Sequence, residues 1–89
     1  MNVEISITDW VGKINNGIAV LLSLIIDDNQ YEIIYWFNEK EINLEIENSF
    51  YKKYNIKDIK DYEYFNHLIY YIDNFVLPDK QEIFKEFKL

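Results

Sequence analysis

The chain contains no cysteine and no arginine, and only one proline and two glycines among its 89 residues. Without cysteine, no disulfide can staple the fold and no thiolate can serve as nucleophile or metal ligand. Small secreted domains usually depend on such staples, so the expected compartment is the reducing cytoplasm. Two glycines are too few for a glycine-rich phosphate loop. All nine basic residues are lysine, and the net charge is −7. Arginine's planar fork is the usual reader of phosphates and guanine edges, so direct nucleic-acid binding is not expected. The longest apolar run, Ile18 to Ile26, falls well short of the roughly 20 residues that a membrane helix needs, so no membrane association is expected. Met1 to Asp9 carries acids and no basic side chain, unlike a signal peptide.

Core material is plentiful, with 49% apolar and 18% aromatic residues. This exceeds what a disordered acidic tail would contain. One domain over residues 1–89 is expected, since a chain this short builds a single modest core.

The first half has the periodicity of strands. Val3, Ile5 and Ile7 alternate with Glu4, Ser6 and Thr8, as on a strand with one wet face. The alternation breaks at Asp9-Trp10, and Gly12 suggests a bulge there. Asn16-Gly17 is the strongest hairpin signal, because both residues accept the positive φ of a type I′ turn. The almost continuously apolar stretch Ile18–Ile26 predicts a central strand covered on both faces. Asp27-Asp28-Asn29-Gln30 forms a polar turn, Tyr31–Phe37 a third strand, and Asn38-Glu39-Lys40 another turn. In the fourth strand Ile42, Leu44 and Ile46 alternate with Glu41, Asn43, Glu45 and Glu47.

The second half changes period. Phe65, Ile69, Ile72 and Val76 recur at helical spacing, predicting a long helix over 61–76 that Asp58 or Asp61 caps. Pro78 stops that helix, and a short amphipathic one follows over 79–87. Ser49 to Tyr54 gives at most a helical turn. The expected fold is therefore α+β. A four-stranded antiparallel β-meander precedes one long and one short C-terminal helix, both packed on one sheet face.

No catalytic residue, metal site or cofactor is expected. His67 is the only histidine, with Glu63 and Tyr71 one helical turn away on either side. A Glu–His pair supplies half a metal site, and no spacing identifies a third ligand. Ser23 sits in the most apolar strand, where a small packing residue is the simpler reading. No nucleophile-elbow motif surrounds any serine.

The distinctive feature is acidity. If Ile42, Leu44 and Ile46 face inward, Glu41, Glu45 and Glu47 face out, and Glu32 and Glu39 extend the field from neighbouring segments. Asp58, Asp61 and Glu63 form a second acidic group at the start of the long helix. Ordinary solvation and the helix macrodipole account for many such charges; the functional alternative is a negative patch that docks on a basic partner. Tyr70 and Tyr71 are candidate interface anchors. Ile34, Trp36 and Glu32 share one strand face, which would expose apolar bulk toward either a helix or a partner.

In size, acidity and lack of catalytic motifs the chain resembles small anti-restriction and anti-CRISPR proteins and the immunity proteins that neutralise nuclease toxins. That likeness is one of general character, carried by no family signature. It implies an antagonist that presents carboxylates to the basic surface of a nuclease or other nucleic-acid-binding enzyme. The alternative is a structural or adaptor module, a homodimer joined through a sheet edge or through Trp36, Tyr70 and Tyr71. A small enzyme built on His67 ranks last.

Overall fold

The computed structural model describes residues 2–89, and Met1 lies outside the described residues. Four strands, β1 (Val3–Ile14), β2 (Gly17–Ile26), β3 (Asn29–Phe37) and β4 (Ile42–Ile46), form one antiparallel sheet in sequence order. The chain then forms α1 (Asn48–Tyr54), a 3₁₀ turn (Ile59–Asp61), α2 (Phe65–Tyr71) with a π-helical turn (Ile72–Val76), and α3 (Lys80–Glu86). The α+β order of strands followed by helices is thus as expected. No helix among the described residues is long and apolar enough to cross a membrane.

Two-residue turns close the first two hairpins. Asn15 and Asn16 carry φ values of 52° and 62°, and Asp27 and Asp28 carry 48° and 71°. Asn and Asp enter this left-handed region at the least cost after glycine, and type I′ geometry suits the twist of the flanking strands. The first turn therefore sits one residue earlier than the Asn-Gly signal predicts, and Gly17 begins β2. At the third turn Asn38 Oδ1 accepts from the amides of Lys40 and Glu41, at 2.8 and 2.9 Å.

One sheet face and the helices share the core. Ile18, Val20, Leu22, Leu24 and Ile26 of β2 meet Tyr31, Ile33, Tyr35 and Phe37 of β3. Phe50, Ile59, Tyr62, Leu68, Ile72, Leu77 and Phe84 close over them. Phe50 is the aromatic hub, with the rings of Tyr31, Tyr54 and Tyr62 at 5.1, 4.6 and 5.0 Å. The apolar run of β2 is covered by helices on one face only, because Ala19, Leu21 and Ile25 lie outside that core. Their shelter comes from neighbouring strands.

Among the described residues three α-helices replace the expected pair. The segment over 48–54 is a true helix rather than a turn, closed by Asn55 at φ 54°. The long helix begins at Phe65, not at residue 61, because Tyr62 is extended at ψ 130°. Asp58 caps the 3₁₀ turn instead, its carboxylate accepting from the Lys60 amide at 3.0 Å. At the far end Leu77 N–H donates to Ile72 O at 2.8 Å, the wide spacing of a π turn, just before Pro78. Asp79 caps α3 by accepting from the Glu82 amide at 3.1 Å.

Burial pushes the Tyr62 hydroxyl up to about 12, with the neighbouring Tyr54 adding to the shift. The unfolded phenol ionises near 10, so this stabilisation is complete below pH 10 and is lost as pH rises through about 12. Tyr35, raised by burial and then by Asp73, acts in the same direction. Urea midpoints on either side of pH 10 should therefore fall with rising pH, and less steeply in Tyr62→Phe.

Candidate functional site

The sheet face turned away from the helices is the candidate site. Register fixes its layout. Across the four strands run the rows Asp9, Leu21, Ile34, Glu45 and Gly12, Ala19, Trp36, Asn43. Below them lie Ser6, Ser23, Glu32 and then Glu4, Ile25, Gln30. Leu21, Ile34 and Trp36 thus make an apolar centre, with Ile34 47% exposed and Ile25 set apart beyond the Ser23–Glu32 row. Glu4 and Asp9 stand on the β1 side, Glu45 on the β4 side, and Glu32 within β3. None of the nine lysines occupies a strand position on this face. Lys13, the one strand lysine, pairs with Ile18 and so has the parity of the helix side.

Two bulges make this arrangement possible. Pairing to β2 slips between Ile7 and Asp9 and again between Trp10 and Gly12. Each extra residue reverses the parity of the strand residues after it. Asp9 consequently joins the open face, whereas unbroken alternation would aim it at the core. Trp10 turns to the helix side, 5.7 Å from the Phe87 ring. Thr8, the extra residue of the first bulge, donates its hydroxyl to Leu21 O at 3.1 Å.

Trp36 is the best-anchored side chain of the face. Its indole N–H donates to Ile14 O at 2.7 Å, and the ring lies over Gly17, where a Cβ would overlap it. That close approach, rather than a positive φ, is why glycine stands at residue 17. Gly17→Ala should displace the indole and cost about 1–3 kcal/mol of stability. Urea titration followed by Trp fluorescence checks this, with a changed Trp36 environment in the folded baseline.

The structure gathers some expected site residues and separates others. Glu32 and Glu45 lie on the open face, Glu41 at its corner, and Glu39 is exposed in the β3–β4 turn. Glu47 is engaged locally, its carboxylate accepting from the Glu32 amide at 2.7 Å. Asp58 is a turn cap between Lys57 and Lys60. Asp61 and Glu63 are exposed on the α1–α2 segment, whose Ile59 and Tyr62 belong to the helix-side core. Tyr70 and Tyr71 are also on the helix side, 6.4 and 5.3 Å from the exposed Phe75 ring. The acids therefore divide between the two layers.

His67 is exposed, with its ring 5.8 Å from that of Tyr64. Among the described residues no group of three or more acids or histidines is placed to hold a metal ion.

One constellation has no precursor in the sequence pattern. Lys80 Nζ donates to Asp73 at 2.7 Å and to Tyr35 Oη at 3.0 Å, and Tyr35 Oη donates to Asp73 at 3.1 Å. The ammonium also lies 5.0 Å from the Phe37 ring centre. Every member has a partner, so the triad ties the π turn and α3 to the sheet rather than offering a reactive group.

Compared with protein-family models, with curated proteins and with solved structures, the chain matches none.

Proposed function

We propose that this chain is a small acidic antagonist that acts by binding, not by catalysis. It occupies the basic nucleic-acid-binding surface of a partner protein such as a nuclease, in the manner of anti-restriction, anti-CRISPR or toxin-immunity proteins. The supporting observation is the uncovered sheet face, an apolar centre between carboxylates and without a strand lysine. Apolar anchors inside a charged rim are the usual anatomy of a protein interface. A predominantly negative rim steers encounter with a positive surface and repels nucleic acid itself. Glu32, Glu41 and Glu45 supply charge directly, and Glu39 extends it from the adjoining turn.

Affinity capture from nuclease-treated lysate, eluted with rising salt, tests this reading. A captured basic protein should leave at high salt and should lose its nucleic acid when this chain is added. Capture of a protein whose nucleic-acid binding is unaffected would sink the proposal. His67→Ala should leave both capture and competition unchanged, whereas a loss of function in a folded His67→Ala chain would revive an enzymatic role.

A second reading rests on the helix side, where Tyr70 and Phe75 are 63% and 67% exposed. A homodimer formed there would leave the sheet face free. Size exclusion with scattering detection distinguishes it, since Tyr70→Ser should then dissociate the dimer.

A further inference from the structure

The Trp36 corner of the open face is concave, a cleft of about 620 Å³ whose lining includes Ile14, Ala19, Ile34, Trp36, Glu41 and Glu45. We infer that it receives an arginine side chain of the partner, an assignment that rests on the antagonist reading above.

The indole cannot donate to a ligand, because Ile14 O already takes its N–H. What it offers is a π surface held in place by that bond and by its seat on Gly17. Such a surface attracts cations. Glu45 stands directly across from Ile34 and Asn43 directly across from Trp36, so a carboxylate and an amide flank the ring. Glu41 closes the corner. Neither Glu41 nor Glu45 forms an ion pair among the described residues. The nearest lysine in sequence, Lys40, is in the turn and likewise makes none. A planar guanidinium can stack on an indole while forking its N–H groups to a carboxylate, which an ammonium cannot do.

Other occupants fit less well. An anion would meet two carboxylates, and an apolar ligand would desolvate them without compensation. A second copy of this chain has no arginine to contribute and would bring its own acids to the contact. The cleft is therefore assigned to a partner of different composition.

The test needs no identified partner. The ¹⁵N-labelled chain is titrated with a short arginine–glycine repeat peptide and with its lysine–glycine counterpart of equal charge. The Trp36 indole signal is assigned by comparison with Trp10→Phe. The expected result is a saturable shift of the Trp36 indole and of the Ile34 and Glu45 amides, with arginine about five-fold tighter than lysine. Glu45→Gln should weaken arginine binding several-fold while the remaining amide spectrum stays folded, and Glu63→Gln should leave it unchanged. Equal affinity for the two peptides, shifts centred on Asp61 and Glu63, or indifference to Glu45→Gln would overturn the assignment. If a captured partner is competed through this face but the peptide leaves Trp36 unmoved, only the arginine assignment falls. If the peptide seats at Trp36 but no nucleic-acid-binding protein is competed, the assignment stands and the antagonist reading falls.

Discussion

An Ile34→Lys chain is expected to fold like the parent and to lose its partner, with affinity falling about 30-fold or more, a cost of about 2 kcal/mol. Ile34 is the centre of the open face, between Leu21 on β2 and Glu45 on β4. It is 47% exposed and outside the core, so its replacement removes little that holds the fold. At the interface the change acts twice. It removes an apolar anchor and places a cation where a basic surface arrives, and like charges brought together disfavour the complex. Ile34→Glu separates the two effects, because it deletes the anchor but keeps the sign of the rim. It should bind between parent and Ile34→Lys. Calorimetric titration of the captured partner, beside thermal unfolding of each chain, measures both quantities. Parent-like binding by Ile34→Lys would remove this face from consideration.

The largest effect on stability is expected from Phe50→Ala, which should cost about 3–5 kcal/mol. Phe50 is 0% exposed, and the rings of Tyr31, Tyr54 and Tyr62 pack around it within about 5 Å. Truncation leaves a cavity that rigid aromatic neighbours cannot easily fill. A domain of this size holds on the order of 5–13 kcal/mol in total, so the variant keeps little margin. The urea midpoint should fall sharply, and near-ultraviolet dichroism from the tyrosine cluster should weaken. Phe50→Leu should lose less than half as much. A Phe50→Ala chain with the parent midpoint would mean that α1 contributes little to the cooperative core.

The features legible in the sequence are those governed by local rules. Strand alternation, the polar turn after β2 and the proline stop are each set by the backbone preferences of a few neighbouring residues. The break at Asp9-Trp10 is visible as a lapse in alternation, and it marks the bulges that build the open face. The shared face of Glu32, Ile34 and Trp36 comes from parity alone. Other features depend on contacts across the chain. The hairpin turn falls at Asn15-Asn16 because Gly17 is reserved for the Trp36 ring, a demand from a residue on the neighbouring strand β3. α1 is obscured because only Phe50 of its seven residues is buried, too few for a periodic stripe. The start of α2 is displaced because Asp58 stabilises a competing 3₁₀ turn. The Tyr35–Asp73–Lys80 triad joins residues 38 and 45 positions apart, and no spacing within a single sequence announces such a contact. The division of the acids between two layers is equally hidden, since it depends on which face each segment presents.

The bulges in β1 carry one more consequence. A twelve-residue strand at the border of a sheet would ordinarily be a template on which another chain could lay a strand, and then another, toward filaments. Here the ladder to β2 is regular only from Val3 to Ile7 before the first slip, and the second comes three residues later. An incoming strand would meet a rim that twists away before a long pairing could form. The irregularity that turns Asp9 outward thus also works against strand addition along this edge.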